Sequence, residues 1–283
     1  MNQFGGNWTY QKIKIVEEYA KAYLQIMKNF PYYKLMYFDG FAGSGGITIG
    51  DKMDENFIDG AAKVILEIVE PKPFDTYYFV ELEEKKAALL RESLDKIKKS
   101  GVFVVSDDCN KKMIDMADYL RGRKGKSYRV LAFIDPCGMN VDWSSIEYLR
   151  GLGIDMWILV PTGLCANRLL MKDGNNIPES WFIKLEKFFG INKELILQCT
   201  HTEVIKTDLF GNMERKLIKN DKGIKEVQRL YSQRLKSVFK YVSNPYVMRN
   251  SQNSTMFHLF LASNNNTAVG IANDIVRKYN QMY

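Results

Sequence analysis

The stretch "MYFDGFAGSGG", residues 36–46, places several glycines and a serine directly after an apolar run that ends in Asp39. Glycine lets the backbone turn tightly and approach a ligand closely, and successive backbone N–H groups bind anionic groups. In open parallel sheets the ligand lies beyond the carboxyl ends of the strands. The stretch therefore predicts a buried strand followed by a ligand-binding turn, with a purely structural glycine turn as the alternative.

Further short apolar runs recur along the chain, and helical patterns separate them. Runs with little polar alternation are typical of parallel strands buried on both faces by helices. The spacing of apolar residues also predicts a helix over residues 10–28, before the first strand. We therefore expect an α/β fold with a mainly parallel sheet. The strand-like runs are KLMYFDG, TYYFVE, VFVVSDD, RVLAFIDP, DMWILVP and, near the end, MFHLFLAS.

The regular alternation breaks after Pro161. Residues 165–250 are more charged and less strand-like, and we interpret them as a mostly helical insertion and a candidate substrate-binding region. This insertion would lie between two parts of one core. Residues 1–164 would form most of the core, and residues 251–283 would add a final strand and helix to it. One predicted helix of the insertion has basic residues near one face, which is either a solvated surface or a ridge that contacts phosphates. They are Lys225, Arg229, Lys236 and Lys240.

Composition restricts the class of protein and its partners. A chain of 283 residues that is 46% hydrophobic can bury a substantial core. We expect a cytoplasmic protein, because its first residues lack signal-peptide features and no apolar run approaches the ~20 residues that span a bilayer. The net charge of +7 favours a polyanionic partner such as nucleic acid, although many cytosolic proteins are equally basic. No C-x-x-C pair occurs, so we expect neither a disulfide framework nor a metal site.

An acidic residue follows each of four successive predicted strands: Asp39, Glu81, the pair Asp107 and Asp108, and Asp135. Parallel strands end at the same edge of a sheet, so these side chains would line one polar crevice. Glu81 is placed to accept hydrogen bonds from a ribose diol, and the aspartate pair to bind an exocyclic amine. Each aspartate taken singly can instead be a helix N-cap, but the set favours a ligand site.

The order of these motifs resembles the class I S-adenosylmethionine-dependent methyltransferases. D-x-F-x-G-x-G is followed by Glu, Asp and D-P after the next three strands, and "FAGSG" is similar to the amino-methyltransferases of DNA and RNA. More closely, YFDGFAGSGG, FVELE, SDDCN, FIDPCG, DMWILVP and HLFLASNN resemble the three-Cys-motif partner proteins, a bacterial family. The resemblance covers most of the chain and is weakest across the insertion. It implies a Rossmann-like class I methyltransferase fold.

The resemblance also implies S-adenosylmethionine as the cofactor. The glycine turn and the acid before it would hold the methionine part, Glu81 the ribose hydroxyls, and Asp108 or Asp107 the adenine amino group. A nicotinamide cofactor ranks low, because the turn does not match G-x-G-x-x-G. The cofactor residues implied are Asp39, Phe41, Gly43, Ser44, Gly45, Glu81, Asp107 and Asp108.

By the same resemblance, Asp135 and Pro136 occupy the position from which amino-methyltransferases hold the target nitrogen. There an acid and a backbone carbonyl accept hydrogen bonds from the amine and orient its lone pair toward the methyl group. This chain departs from that motif, because Cys137 and Gly138 replace a second proline and the aromatic residue that stacks on the flipped base. Trp143, or less readily Phe133, would then have to supply the stacking surface.

Cys137 is the third candidate catalytic residue. The Pro136–Cys137 pair resembles the Pro-Cys of cytosine-5 methyltransferases, in which a thiolate attacks C6 of the base. The thiolate would need nearby positive charge, and a small cysteine packed beside a strand end is the simpler interpretation. Neither histidine offers an obvious base: His201 lies in the insertion, and His258 is expected to be a hydrogen-bonded core residue.

Two functions of different classes remain open. The first is a methyltransferase that acts on nucleic acid, with the insertion as a substrate-binding element. The second is a non-catalytic partner module for a cysteine-rich, radical-type enzyme. The acids at Glu81, Asp108 and Asp135 favour the first function, and the altered D-P-C-G motif favours the second.

Overall fold

A computed structural model of the chain describes residues 6–44, 46–47, 58–207 and 213–281. Its strands are β1 (Lys34–Asp39), β2 (Gly46–Ile47), β3 (Ile58–Asp59), β4 (Thr76–Glu81), β5 (Val102–Ser106), β6 (Tyr128–Ile134), β7 (Ile154–Val160), β8 (His201–Thr207), β9 (Met213–Lys219), β10 (Tyr241–Val242), β11 (Tyr246–Arg249) and β12 (Thr255–Ser263). Its helices are α1 (Gly6–Met27), α2 (Ala61–Leu66), α3 (Glu84–Asp95), α4 (Cys109–Arg121), α5 (Trp143–Glu147), α6 (Asn167–Leu169), α7 (Glu179–Phe189), α8 (Lys193–Thr200), α9 (Gly223–Val238) and α10 (Asn266–Asn280).

The main sheet has the strand order β10-β12-β7-β6-β1-β4-β5, and β11 also pairs with β12. β1 and β4 to β7 are parallel, whereas β12 runs antiparallel to β7. This is a Rossmann-like α/β fold, and the prediction of a mainly parallel sheet flanked by helices is confirmed. The strand order reverses on either side of β1, so a crevice is expected between the carboxyl ends of β1 and β6.

Both faces of the sheet are covered, which explains why its central strands are apolar at successive positions. Met36 and Phe38 of β1 face a cluster that includes α4, α5, α7 and α9. Leu35 and Tyr37, the alternate residues of the same strand, face a cluster that includes α1, α2 and α10. A strand buried on both faces has no polar side, because successive side chains point in opposite directions.

The segment predicted as an insertion contains more than helices. β8 and β9 form an antiparallel hairpin within it, and β10 and β11 pair with β12 and so belong to the main sheet. The structure therefore differs from the sequence-based boundary at residue 250. β10 and β11 are short and lie at the sheet edge, so they lack the long apolar runs that mark the central strands. Among the helices of the described residues, none has the length and apolar character needed to cross a membrane.

A close backbone contact fixes the end of β7. Gly163 lies in a π-helical turn, Thr162–Ala166, directly after this strand. A Cβ atom at Gly163 would lie 1.9 Å from the carbonyl oxygen of Thr255, where β12 begins. The Thr255 carbonyl is a backbone group and cannot rotate away as a side chain would. The junction between β7 and β12 would therefore have to move to accept a side chain at Gly163.

We predict that Gly163→Ala lowers the free energy of unfolding by about 1–3 kcal/mol, since overpacking a tight contact displaces backbone. Gly270→Ala is the matched control: Gly270 lies within α10, and a Cβ there would meet no atom within 4 Å. The control should raise the free energy of unfolding by about 0.5–1 kcal/mol, because alanine is the better helix former. Urea denaturation measures both, and equal stabilities for the two variants would contradict the contact.

Candidate functional site

The glycine turn after β1 is held by an acid from the neighbouring strand. At the end of β4, Oε2 of Glu81 accepts a hydrogen bond from the backbone N–H of Gly43 at 3.0 Å. The other carboxylate oxygen accepts one from the N–H of Glu83 at 2.9 Å. Gly43 has φ of 65°, a left-handed conformation that favours glycine, and a Cβ there would meet no atom within 4 Å. Ser44 is half-buried beside it, and Gly45 lies outside the described residues.

Asp39 is buried at the base of this turn, with only 1% of its surface exposed. Its carboxylate accepts a hydrogen bond from the backbone N–H of Phe41 at 3.1 Å, and the Phe41 ring packs against the core. Burial raises the pKa of Asp39 to about 7; the Phe41 N–H opposes this shift, and the nearby carboxylate of Asp135 adds to it. Asp39 therefore changes charge near neutral pH, and a cation placed beside it would favour the ionised form.

Asp135, directly after β6, is paired with a residue that the sequence analysis did not single out. The ammonium of Lys12, in α1, forms an ion pair with its carboxylate, and the two side chains are 10% and 18% exposed. The signal was present in the sequence: Lys12 falls on the helix face that also carries Ile15, Val16 and Tyr19, all buried. A lysine on an apolar helix face needs a partner, and here that partner is the candidate catalytic acid.

The aspartates after β5 are engaged at the start of α4. Asp108 is the N-cap of this helix, and its Oδ1 accepts a hydrogen bond from the backbone N–H of Lys111 at 3.1 Å. Asp107 forms ion pairs with Lys111 at 2.8 Å and Lys112 at 3.1 Å. The hydrogen bond from Lys111 is the main cause that lowers the pKa of Asp107 below its usual range. The N-cap alternative is thus realised for Asp108, and one of its oxygens is not used by the cap.

The D-P-C-G segment exposes its cysteine. Pro136 is buried, Cys137 is exposed, and Gly138 has φ of 81°. The carbonyl oxygen of Cys137 accepts a hydrogen bond from the side-chain amide of Asn140 at 2.6 Å. The pKa of Lys86 is raised chiefly by Glu83, with smaller contributions from Glu81 and Cys137, which places its ammonium within electrostatic reach of the crevice. The prediction that Cys137 packs as a small buried residue is wrong.

The proposed substitutes for a stacking aromatic do not reach the surface. Phe133 and Trp143 are 2% and 1% exposed, and both lie in the core clusters. Trp143 therefore cannot replace the stacking residue that the motif lacks, and Phe133 has the core role that was favoured for it. His258 is a hydrogen-bonded core residue as predicted, with its Nδ1 2.7 Å from Oγ1 of Thr162. Burial lowers the pKa of His258 to about 4, so this ring is neutral at neutral pH.

Besides the crevice, a cavity of about 500 Å³ lies beyond the carboxyl end of β7. It is bounded by the start of α9 and by β11 and β12. His258 of β12 lines the cavity and pairs with Val160, the last residue of β7. Three cations, Lys222, Lys225 and Arg249, line it together with one acid, Asp221. The edge of the sheet that carries the crevice acids thus also carries a basic hollow, formed in part by the segment predicted as an insertion.

No protein-family model matches the chain, and no curated protein matches it in sequence. A protein of Legionella pneumophila described as DUF519 is 11% identical, with 94% of this chain and 92% of that chain covered and a TM-score of 0.43. The putative methyltransferase YhhF of Escherichia coli is 13% identical over 71% and 85%, with a TM-score of 0.29. Human methyltransferase-like protein 13, solved with S-adenosylhomocysteine, is 9% identical over 96% and 92%, with a TM-score of 0.43.

We predict that Asp39→Asn changes how stability depends on pH. Because the pKa of Asp39 is raised by folding, its neutral form stabilises the protein below about pH 4, and this contribution is lost as the pH rises toward 7. The asparagine side chain cannot ionise in the variant. At pH 8 the free energy of unfolding of the variant should therefore exceed that of the wild type by about 2 kcal/mol or more. Denaturant unfolding across this range measures the effect.

Glu92→Gln is the matched control, because Glu92 is an exposed acid on α3, far more accessible than Asp39. The control should keep the wild-type loss of stability between about pH 4 and 7, whereas Asp39→Asn should flatten it. Parallel stability curves for all three proteins would show that Asp39 ionises as an ordinary carboxyl group.

Proposed function

We propose that this chain is an S-adenosylmethionine-dependent methyltransferase that acts on nucleic acid. One observation carries the proposal: Glu81 accepts a hydrogen bond from the Gly43 N–H and so holds the glycine turn. The turn lies directly beside the buried Asp39, at the point where the strand order reverses. This is where open α/β sheets bind their ligands. The resemblance to three-Cys-motif partner proteins is part of the same proposal, as is a cytoplasmic location.

The residues present fit the cofactor. A cationic ligand suits a crevice whose described acids include Asp39, Glu81 and Asp135 and whose closest paired cation is Lys12. Glu81 uses one hydrogen bond on each oxygen for the backbone, and a carboxylate can accept more, so ribose hydroxyls can still bind to it. Open space above Gly43 leaves room for the methionine part. The cofactor, when bound, supplies an electrophilic methyl group.

Asp135 and Pro136 would orient the methyl acceptor. The Asp135 carboxylate accepts hydrogen bonds from an amine and keeps its lone pair directed into the crevice, which is catalysis by positioning. Lys12 holds this carboxylate in place in the absence of substrate, so an incoming amine has to share or displace the ammonium. Cys137 offers a different route, because its thiol is exposed two residues after Asp135 and could act as a nucleophile toward a base.

Nucleic acid is the proposed acceptor because of charge. The chain carries +7 overall, and the hollow beyond β7 has three cations around one acid. Phosphate groups bind to such surfaces through lysine and arginine side chains without reading sequence. A base presented to the crevice would therefore have its backbone held by neighbouring basic residues.

The same ion pair between Lys12 and Asp135 favours a second candidate function. An acid already neutralised by a fixed lysine suits a crevice that binds a ligand without performing transfer. With the altered D-P-C-G motif, this supports a partner module for a cysteine-rich enzyme. Binding and transfer experiments separate the two functions.

We predict that titration calorimetry detects binding of both S-adenosylmethionine and S-adenosylhomocysteine, with Glu81→Ala weakening each by about 10- to 100-fold. The variant loses a charged hydrogen-bond acceptor for the ribose and the anchor of the Gly43 turn. Glu92→Ala removes an exposed acid from α3 and should bind like the wild type. Absence of binding to well-folded wild-type protein would overturn the cofactor assignment.

We predict that removal of the Asp135 carboxylate abolishes methyl transfer and spares cofactor binding. Asp135→Ala alone leaves the Lys12 ammonium without this partner in a nearly buried position, which can cost about 3–5 kcal/mol. The double variant Lys12→Met with Asp135→Asn avoids that cost and tests the same step. Transfer of a labelled methyl group to pooled RNA or DNA is the measurement.

Lys12→Met alone is the control for the double variant, since it keeps the acid. Retained transfer by the double variant would exclude Asp135 as the group that orients the acceptor. Cofactor binding without transfer in the wild type, on every nucleic acid offered, would favour the partner module. A pull-down for a cysteine-rich companion would then be the next experiment.

A further inference from the structure

A basic hollow lies at the edge of the sheet opposite the crevice. It has a volume of about 770 Å³ and opens at the amino ends of β6 and β7, between the end of α4 and the residues after α9. With strands of up to seven residues, it is roughly 20 Å from the carboxyl ends that carry the candidate site. We call it the amino-edge groove; its cations are Arg121, Lys126, Arg129, Arg150 and Lys240.

The charge of the amino-edge groove is not neutralised within it. The residues that line it, all in the described part of the chain, include no aspartate or glutamate. Two acids stand behind it: Asp118 lies 3.8 Å from Arg121, and Glu147 lies 3.1 Å from Arg150. Lys126 and Lys240 are exposed, and neither forms an ion pair with a described carboxylate. The groove therefore presents a net positive surface that suits an anionic ligand.

Its arginines are held in fixed orientations by backbone carbonyls. Arg121 donates a hydrogen bond to the carbonyl of Tyr148, and Arg150 donates one to the carbonyl of Ser237. Arg129 donates to the carbonyl of Tyr128 at 2.8 Å. A guanidinium group has five N–H donors, so each arginine retains donors for a ligand. Since these side chains are already ordered, binding a phosphate costs them less conformational entropy.

Tyr128 lines the groove, and two exposed tyrosines outside its lining contact groove residues. Tyr148 is 41% exposed, and the guanidinium carbon of Arg121 lies 4.5 Å from the centre of its ring. Tyr119, 42% exposed, packs edge-on against Tyr128 with 5.5 Å between ring centres. Cations that bind phosphates and aromatic faces that stack with bases are the two components of single-strand recognition. A small inorganic anion would use the cations but not the rings.

We infer that the amino-edge groove binds single-stranded nucleic acid, with phosphates held by its lysines and arginines and bases stacked on Tyr148 or Tyr119. The strand must be single, because only unstacked bases present a free face to a tyrosine ring. The inference deepens the proposed function in its choice of polymer, but it does not depend on a cofactor in the crevice.

The test is fluorescence anisotropy of a labelled oligouridylate and a labelled oligothymidylate with the full chain, in the absence of cofactor. Lys126→Glu with Lys240→Glu should weaken binding at least tenfold at low salt. It should also reduce the slope of log affinity against log salt by about 1.4, since about 0.7 is lost for each phosphate contact on a single strand. Lys184→Glu with Lys187→Glu, an equal change of charge on exposed positions of α7, is the control and should have a much smaller effect.

Tyr148→Leu tests the stacking component separately. It should weaken binding of single strands with no change in the salt slope, because no phosphate contact is removed. Equal losses for the groove variant and the α7 control, or tighter binding of a duplex of the same length than of the single strand, would overturn the inference. Because the groove variant should keep wild-type calorimetry with S-adenosylmethionine, and Glu81→Ala should keep wild-type anisotropy, failure of the groove and failure of the crevice are distinguishable.

Discussion

The burial of Asp39 at the end of β1 is the constraint on which the arrangement of the crevice depends. A carboxylate with 1% exposure is costly to ionise unless donors and cations surround it. The turn supplies the N–H of Phe41, and α1 brings the Lys12 ammonium to the neighbouring acid, Asp135. The first helix is thus part of the site as well as a cover for the sheet, because its packing sets where this positive charge lies.

The sequence predicted the parts of the fold that depend on local patterns. β1, β6 and β7 are apolar at nearly every position because helices cover both faces, and an acid after a strand end must lie at the same edge as its neighbours. The ion pair of Lys12 with Asp135 joins residues 123 positions apart, so no local pattern specifies it. Only the place of Lys12 on an apolar helix face indicated that a partner was needed.

Other features were missed because their stability comes from tertiary contacts. β10 has two residues and β11 has four, and each becomes a strand by pairing with β12. The exposure of Cys137 likewise depends on how the chain turns after Pro136, where Gly138 adopts a left-handed conformation. Trp143 follows the D-P-C-G segment closely in sequence, yet it packs into the core, where the guanidinium carbon of Arg234 lies 4.6 Å from its ring centre. Proximity in sequence to a candidate site did not imply exposure at that site.

The crevice and the amino-edge groove have opposite electrostatic character, and this restricts how a polyanion can approach. Phosphates are repelled by the acids of the crevice, among them Asp39 and Glu81, so the crevice accepts a base or another uncharged or cationic group more readily than a phosphate backbone. The net charge of +7 predicted a polyanionic partner without a location. The predicted basic face of α9 is partly neutralised, since Arg229 pairs with Glu226, whereas Lys240, just beyond this helix, lines the amino-edge groove. Attraction of the backbone at sites separate from the crevice, with a base presented to the acids, satisfies both charges at once.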